Sequence, residues 1–287
     1  MADNNIWGDV SSLANSVQVD AYHVVRETGQ MQSIVTVFDD LATMNARKSY
    51  KYNQGTVVSV SDADDLTSKA FTPSPDQTLT PAEIGLQFFI TDARMMGDVP
   101  ENIRNDAARE LSLAALDKVE TDLIGDMASL TGGIIGTSGT AITWGHLAAA
   151  IAQAHNANKS SQVPLVAVIH EYQWSVLAKS ASIAGATFGA VAPNTQEDIT
   201  RNGQSITFMG VPIRTVFGGV DGSSDFTGGV FPRVALAIDW RRNIRVEPER
   251  DASRRGWELN MSAIYAHGVW RPELGVKMIF AATAPTN

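Results

Sequence analysis

The chain contains no cysteine. That removes disulfides and thiolate metal sites together and leaves packing as the source of stability. Charge is also scarce: Asp, Glu, Lys and Arg make up 18% of the 287 residues, against 44% hydrophobic ones. Much of the surface must then be covered by uncharged groups, which fits a Thr/Ser/Gly-rich globular protein as well as a subunit whose faces are hidden by neighbours. What charge there is leans acidic, for a formal net charge of −9. Nucleic-acid affinity rests on Lys and Arg neutralising phosphates, so this balance argues against a sequence-specific nucleic-acid reader. Long apolar runs are missing too. The longest stretch free of Lys, Arg, Asp and Glu, residues 127–158, is broken by Gly132, Gly133, Gly136, Gly139, Gln153 and His155. It is too polar to span a membrane. The opening MADNNIWGDV has neither the basic region nor the apolar core of a signal peptide, so a soluble chain made in a cytosol is expected.

Catalytic motifs are equally sparse. His170-Glu171 begins a zinc-protease helix motif, but Trp174 stands where the second histidine belongs. Glu171 then reads as a first-turn acid and Trp174 as a core residue. Asp62-Ala63-Asp64-Asp65 resembles the start of a calcium loop, yet the sixth position is Thr67, where the sharp turn needs glycine. Asp221-Gly222-Ser223-Ser224-Asp225 reads as a flexible loop first and a cation site second. The glycines of residues 132–139 lack the Gly-Lys-Ser/Thr ending of a phosphate loop, and no nucleophile elbow exists. The five histidines show no ligand spacing. No catalytic residue, cofactor or metal site is expected. The competing enzyme reading is a metal-dependent hydrolase using His170 and Glu171.

Residues 1–30 read as an extended arm and residues 31–39 (MQSIVTVFD) as a strand. Two strand-rich arms follow, at 48–65 and 79–91, around a turn cluster of Pro73, Pro75, Asp76 and Gln77. Such a hairpin buries no core of its own and is marginal unless it lies on something else, the alternative being a long disordered loop. Asp98, Pro100 and Glu101 start a helix. Behind them Ile103, Ala107, Leu111, Ala115, Val119, Leu123 and Met127 recur every four residues up to Gly132-Gly133. About 30 helical residues would span roughly 45 Å, a strut for an elongated domain. Thr143 caps a second helix over 144–157, residues 164–169 (PLVAVI) form a buried strand, and 170–180 a third helix. Residues 182–202 are loop-rich, 204–216 a strand pair, and 217–229 a Gly/Ser/Asp loop. Strands then close the chain at 234–238, 257–265 and 275–281. Arg241, Arg242, Arg245, Arg250, Arg254 and Arg255 are placed between two of those strands beside Glu247, Glu249 and Asp251. Salt bridges within or between subunits fit them better than a phosphate-binding surface.

This order of elements resembles the major capsid protein of tailed bacteriophages, the Hong Kong 97-like fold. Thr91-Asp92-Ala93-Arg94 leads into a spine helix, VAVIHEYQWSVL (166–177) is similar to the family's axial strand and helix, and VALAIDWRRNIRV (234–246) to its return strand. The resemblance implies an α+β capsid fold with an N-terminal arm and first strand at 1–45 and an extended β-hairpin loop at 46–90. A spine helix of the peripheral domain would take 91–140, an axial domain 141–232, and C-terminal peripheral strands 233–287. It implies no enzyme but a structural subunit that self-assembles as hexamers and pentamers into an icosahedral head. That head would enclose double-stranded DNA without reading its sequence, and an acidic wall suits a container that must empty. A separate scaffolding protein, a portal and decoration proteins are the implied partners. Assembly would take place in the host cytoplasm, and the destination would be the virion. Inter-subunit contacts are expected at Lys48, Lys51, Lys69, Arg241, Arg242, Arg245, Arg254 and Arg255, with Asn243 or Asn260 as acceptors for any lysine crosslink. Encapsulin shells of bacterial nanocompartments share the fold and form the second reading.

Overall fold

The computed structural model describes residues 30–40, 43–52, 55–62, 68–97, 100–182 and 207–285. The expected arm before residue 30, the Asp98 cap, Ala63 to Asp65 and nearly all of the 182–202 loop lie outside the described residues.

A four-stranded sheet runs in the order β1 (Thr36–Phe38), β10 (Leu236–Asp251), β11 (Gly256–Val269), β4 (Ala82–Thr91). β10 and β11 form a long antiparallel pair, in register from Leu236↔Val269 to Asp251↔Gly256 with shifts between Trp240 and Arg245. β11 keeps the expected alternation: Leu259, Met261, Ala263 and Tyr265 are buried. Across them lies the long helix α2 (Pro100–Asp126), 27 residues preceded by the short helix α1 (Asp92–Gly97) and followed by a 3-10 turn at Met127–Ser129. Its four-residue stripe is the seam. Leu111 and Ala115 pack with Ile90, Leu259 and Met261. Further along, Val119, Leu123 and Met127 pack with Leu236, Ile238 and Tyr265.

The second sheet has six strands: β5 (Ile134–Ile135), β12 (Val276–Ala281), β9 (Asp225–Pro232), β6 (Leu165–His170), β8 (Val211–Val216) and β7 (Thr207–Phe208). Helices α3 (Trp144–Asn158) and α4 (Glu171–Ser182) cover it. Leu147, Ile151, Trp174 and Leu177 meet Leu165, Ala167 and Ile169 of the central strand, as the apolar run predicts. Thr143 accepts from the His146 N–H at 3.2 Å and caps α3, worth about 1 kcal/mol.

Four expectations change. β9 occupies the second half of the expected 217–229 loop. Its glycines are there for close approach, since a Cβ on Gly228 would stand 2.3 Å from the Val168 carbonyl oxygen. β12 belongs with β9 and β5 in the six-stranded sheet, not beside β11. Residues 31–39 and 234–238 each begin as a 3-10 turn, at Met31–Ser33 and Arg233–Ala235, before entering β1 and β10. The hairpin pairs β2 (Arg47–Tyr52) with β3 (Pro73–Leu79), so the expected turn cluster is itself a strand. Its prolines are tolerated because a two-stranded ribbon leaves the outer edge of each strand unpaired. The second arm, expected at 79–91, supplies β4 of the four-stranded sheet instead.

Candidate functional site

The hairpin is anchored at its root and open at its far end. At the root Leu79 packs with Ala237 and Ala266, flanked by Phe38 and Trp270. Asp239, wholly buried in β10, accepts from Arg47 Nε at 2.8 Å and from Arg241 Nη2 at 2.7 Å. Arg241 also donates to the Asn45 carbonyl at 3.1 Å. Arg47 pairs with Asp40 as well, which holds that carboxyl below its ordinary range, and lies over the Phe38 ring at 4.3 Å. Two outer links follow: Arg271 to Asp76 at 3.3 Å and Lys51 to Glu273 at 3.2 Å. A hairpin expected to find no support in its own chain is therefore clamped to it.

Beyond the root the described residues of the hairpin are exposed. Tyr52 and Phe71 stack at 4.8 Å and 7°, joining the two arms. Phe71 itself is 73% exposed, and past the stack Val57 is 97% and Val58 62% exposed. Apolar side chains grouped this way on one protrusion mark an interaction surface.

The structure strings four of the expected arginines along β10 and puts Arg254 and Arg255 in the turn after it. Five of them find carboxylates in their own chain. Arg250 grips Asp92 through both nitrogens at 2.7 and 2.8 Å. Arg254 reaches Glu258 at 2.8 Å and covers the Phe89 ring at 4.1 Å. Arg242 pairs with Glu83 and Arg245 with Glu247. Arg241 is buried against Asp239 and does not reach the surface as expected. Arg255 is exposed, at a left-handed φ of 53°. Lys48 and Lys69 are exposed as well, as is Asn243, while Asn260 is half-buried.

The histidine of the hydrolase pair is structural. His170 is buried, its Nε2 2.9 Å from the Phe217 carbonyl and its Nδ1 accepting from the Tyr172 N–H at 3.1 Å. Both ring nitrogens are used inside the chain, so neither is left for a metal. Asp225 is buried and takes bonds from Ser138 and the Gly139 N–H, which lower its pKa, while Asp221 accepts from the Ser223 and Asp225 N–H groups. That loop is a tied turn. Among the described residues no group of three or more His, Asp or Glu is placed to hold a metal ion, and no helix is long and apolar enough to cross a membrane.

Three polar residues carry weight that no local pattern announced. Glu120 is buried in α2 and accepts the Met31 N–H at 2.8 Å, tying the first described turn to the long helix. Asp122 and Asp126, one helical turn apart, meet Tyr265 and His267 of β11: Tyr265 donates to Asp122 at 2.6 Å, and His267 Nδ1 lies 3.0 Å from Asp126. Hydrogen bonding to Asp126 raises the His267 pKa, and burial raises that of Asp126. Asp239 did leave a trace, as a lone acid inside the apolar run VALAIDW.

No family pattern and no curated protein matches the chain. Solved structures do. A protein of Mycobacterium phage Che8 superposes with a TM-score of 0.69 at 16% identity, over 89% of this chain and 92% of that one. The capsid structure of cyanophage P-SCSP1u gives 0.67 at 15% identity, over 93% and 92%. The head structure of Helicobacter pylori bacteriophage KHP40 gives 0.66 at 10% identity, over 99% of this chain and 100% of that one. At such identities the likeness speaks for the fold. The mixed α and β architecture described here is, over nearly its whole length, similar to that of phage capsid proteins, as the sequence resemblance implied.

Proposed function

We propose that the chain is the major capsid subunit of a tailed phage, assembling as hexamers and pentamers into an icosahedral head that encloses double-stranded DNA. The observation that carries this reading is the hairpin, rigidly rooted through Asp239 and ending in exposed valines and Phe71 that the described residues leave uncovered. Nothing in a monomer's function explains that combination. A shell does, because each subunit's projection is covered by the next. In this reading residues 46–90 supply the extended loop, with their last fifth, from Ala82 onward, in the peripheral sheet. Residues 91–140 hold the spine helix. Residues 141–232 form an axial domain that β12 completes, and the long β10–β11 pair builds the peripheral domain. Lys48, Lys51, Lys69, Arg242, Arg245, Arg254 and Arg255 meet neighbouring subunits, some of them by exchanging a carboxylate of their own chain for a neighbour's. Exchange of that kind sets register more than affinity. A scaffolding protein, portal and decoration proteins are the further partners. The mature subunit resides in the virion after assembly in the host cytoplasm.

The test is electron microscopy of the chain expressed with and without its scaffolding protein. Closed shells with five-fold and six-fold clusters are expected. Only small, discrete oligomers under both conditions would refute the reading. A second arm replaces Arg254 and Arg255 with Glu. Failure of empty shells to form places these residues between subunits, whereas normal empty shells with poor packaging would place them against DNA.

A further inference from the structure

The long helix α2 ends on the wrong charge. Its last residue is Asp126, and among its described residues the last turn holds no basic side chain. A helix C-terminus carries partial negative charge, so a carboxylate there is unfavourable and a cation is favoured. Asp122 stands one turn earlier, and like charges at that spacing repel. Gly125, between them, weakens the turn further.

The missing cation comes from the neighbouring strand. His267 of β11 lies between the two acids, its Nδ1 3.0 Å from Asp126 Oδ2 and its Nε2 3.7 Å from Asp122 Oδ2. A neutral imidazole has one N–H and one lone pair, and would aim that lone pair at a carboxylate. The imidazolium presents a donor to both. Since the acids take opposite ring nitrogens, the arrangement suits a proton and not a metal ion.

The remaining groups around the ring set its balance. Lys118 pairs with Asp122 and opposes a positive ring, while Tyr265, on the same face of β11, donates to Asp122 at 2.6 Å. From β10 the residue opposite is the apolar Ile238. Asp239, opposite Ala266, belongs to the other face of the sheet, where Ala237, Ala266 and Leu79 pack. The bond to Asp126 raises the imidazole's pKa above 6.5, against the effect of burial.

Just past Asp126 the chain crosses to the six-stranded sheet. There the Thr131 and Gly132 N–H groups donate to the Pro272 and Gly275 carbonyls at 2.9 and 2.8 Å, in the segment that follows β11. Outgoing and returning crossings thus run side by side. Main-chain bonds, indifferent to pH, hold one end of this junction. The other end rests on a side chain that titrates.

We propose that His267 is a proton-operated latch at the junction of the two sheets. Charged, it holds the last turns of α2 on β11; neutral, it leaves two carboxylates at the helix end and lets residues 122–130 open locally. The hold is fully present below pH 6.5 and is lost as pH rises through the raised value. The latch belongs to the single chain and is independent of the capsid reading.

Hydrogen exchange on the full-length chain, followed by mass spectrometry at pH about 5.5 and about 8.5, brackets the imidazole range. After correction for the intrinsic pH dependence of exchange, peptides covering 122–130 should lose protection about five- to thirtyfold at the higher pH, the range for a cation at a partly buried helix end. Peptides from α3 and β6 should change far less. His267→Gln should exchange at both pH values as the wild type does at the higher one. Asp126→Asn, which removes the acid that the ring answers, should shrink the step as well and serves alone if the histidine variant does not fold. An unchanged 122–130 segment in the wild type, an equal loss of protection throughout the chain, or a full-sized step in either variant overturns the latch.

Discussion

The six-stranded sheet and the two-stranded hairpin are both built from short strands of one chain, with opposite outcomes. In β6 five of the six residues are buried and the sixth is half-buried, covered by α3, α4 and the strands on either side. In β2 only Ser49 is buried, and the three residues from Tyr50 to Tyr52 are exposed. The first region is completed by its own chain. The second is held at its root by its own chain and is left exposed beyond it by the described residues. The boundary between the two regimes is sharp, running from the buried Asp239 cluster to the exposed stack of Tyr52 on Phe71.

That contrast is broken most severely at the hairpin's end. Replacing Val57, Val58 and Val60 with Ser should abolish shells and leave the urea midpoint of the free subunit unchanged. A lowered midpoint would mean that these residues already serve the monomer. At the root the effect should move to the subunit itself. Asp239→Ala leaves Arg47 and Arg241 without their shared partner and should cost about 3–5 kcal/mol of stability. Lys51→Ala, at an exposed pair, should cost about 0–1 kcal/mol. Within the core, Leu123→Ala and Leu111→Ala should each cost about 2–5 kcal/mol through lost burial and the cavity left behind. Urea midpoints check all four.

The smallest effect is a pH dependence between α2 and β11. His267, facing Asp126, Asp122 and Lys118 with Tyr265 beside it, has its pKa raised above the ordinary 6.5. A raised folded-state pKa means that the folded chain holds the proton more tightly. The resulting stability is fully present below 6.5 and is lost as pH rises through the raised value. Asp126, raised from 3.8 by burial, acts in the same direction at lower pH. Urea midpoints should therefore fall as pH increases above 6.5, and His267→Gln should flatten that fall.

Elements whose signal lies within a dozen residues were legible. The four-residue stripe of α2, the cap at Thr143, the apolar run of β6 and the alternation of β11 all hold in the structure. Elements defined by distant partners were not. β9 reads as a loop because Gly228 and Gly229 look like turn residues, when their small size serves contact with Val168 and Leu130. Nothing in the sequence of β12 says which sheet it joins. The arginine cluster was visible but its partners were not, since Arg250 meets Asp92 and Arg242 meets Glu83 across more than 150 residues. The hairpin was recognised by its lack of a core, but its root was missed, because a single Asp in an apolar run reveals burial and not the guanidinium groups that satisfy it.

The central claim is that one part of this subunit is finished only by other copies of it. Light scattering on a sizing column, run on the purified full-length chain beside a variant lacking residues 55–72, tests it most directly. The account predicts capsomer-sized or megadalton particles for the full chain and a folded monomer for the variant. Monomers from both, or the same large particles from both, would contradict it.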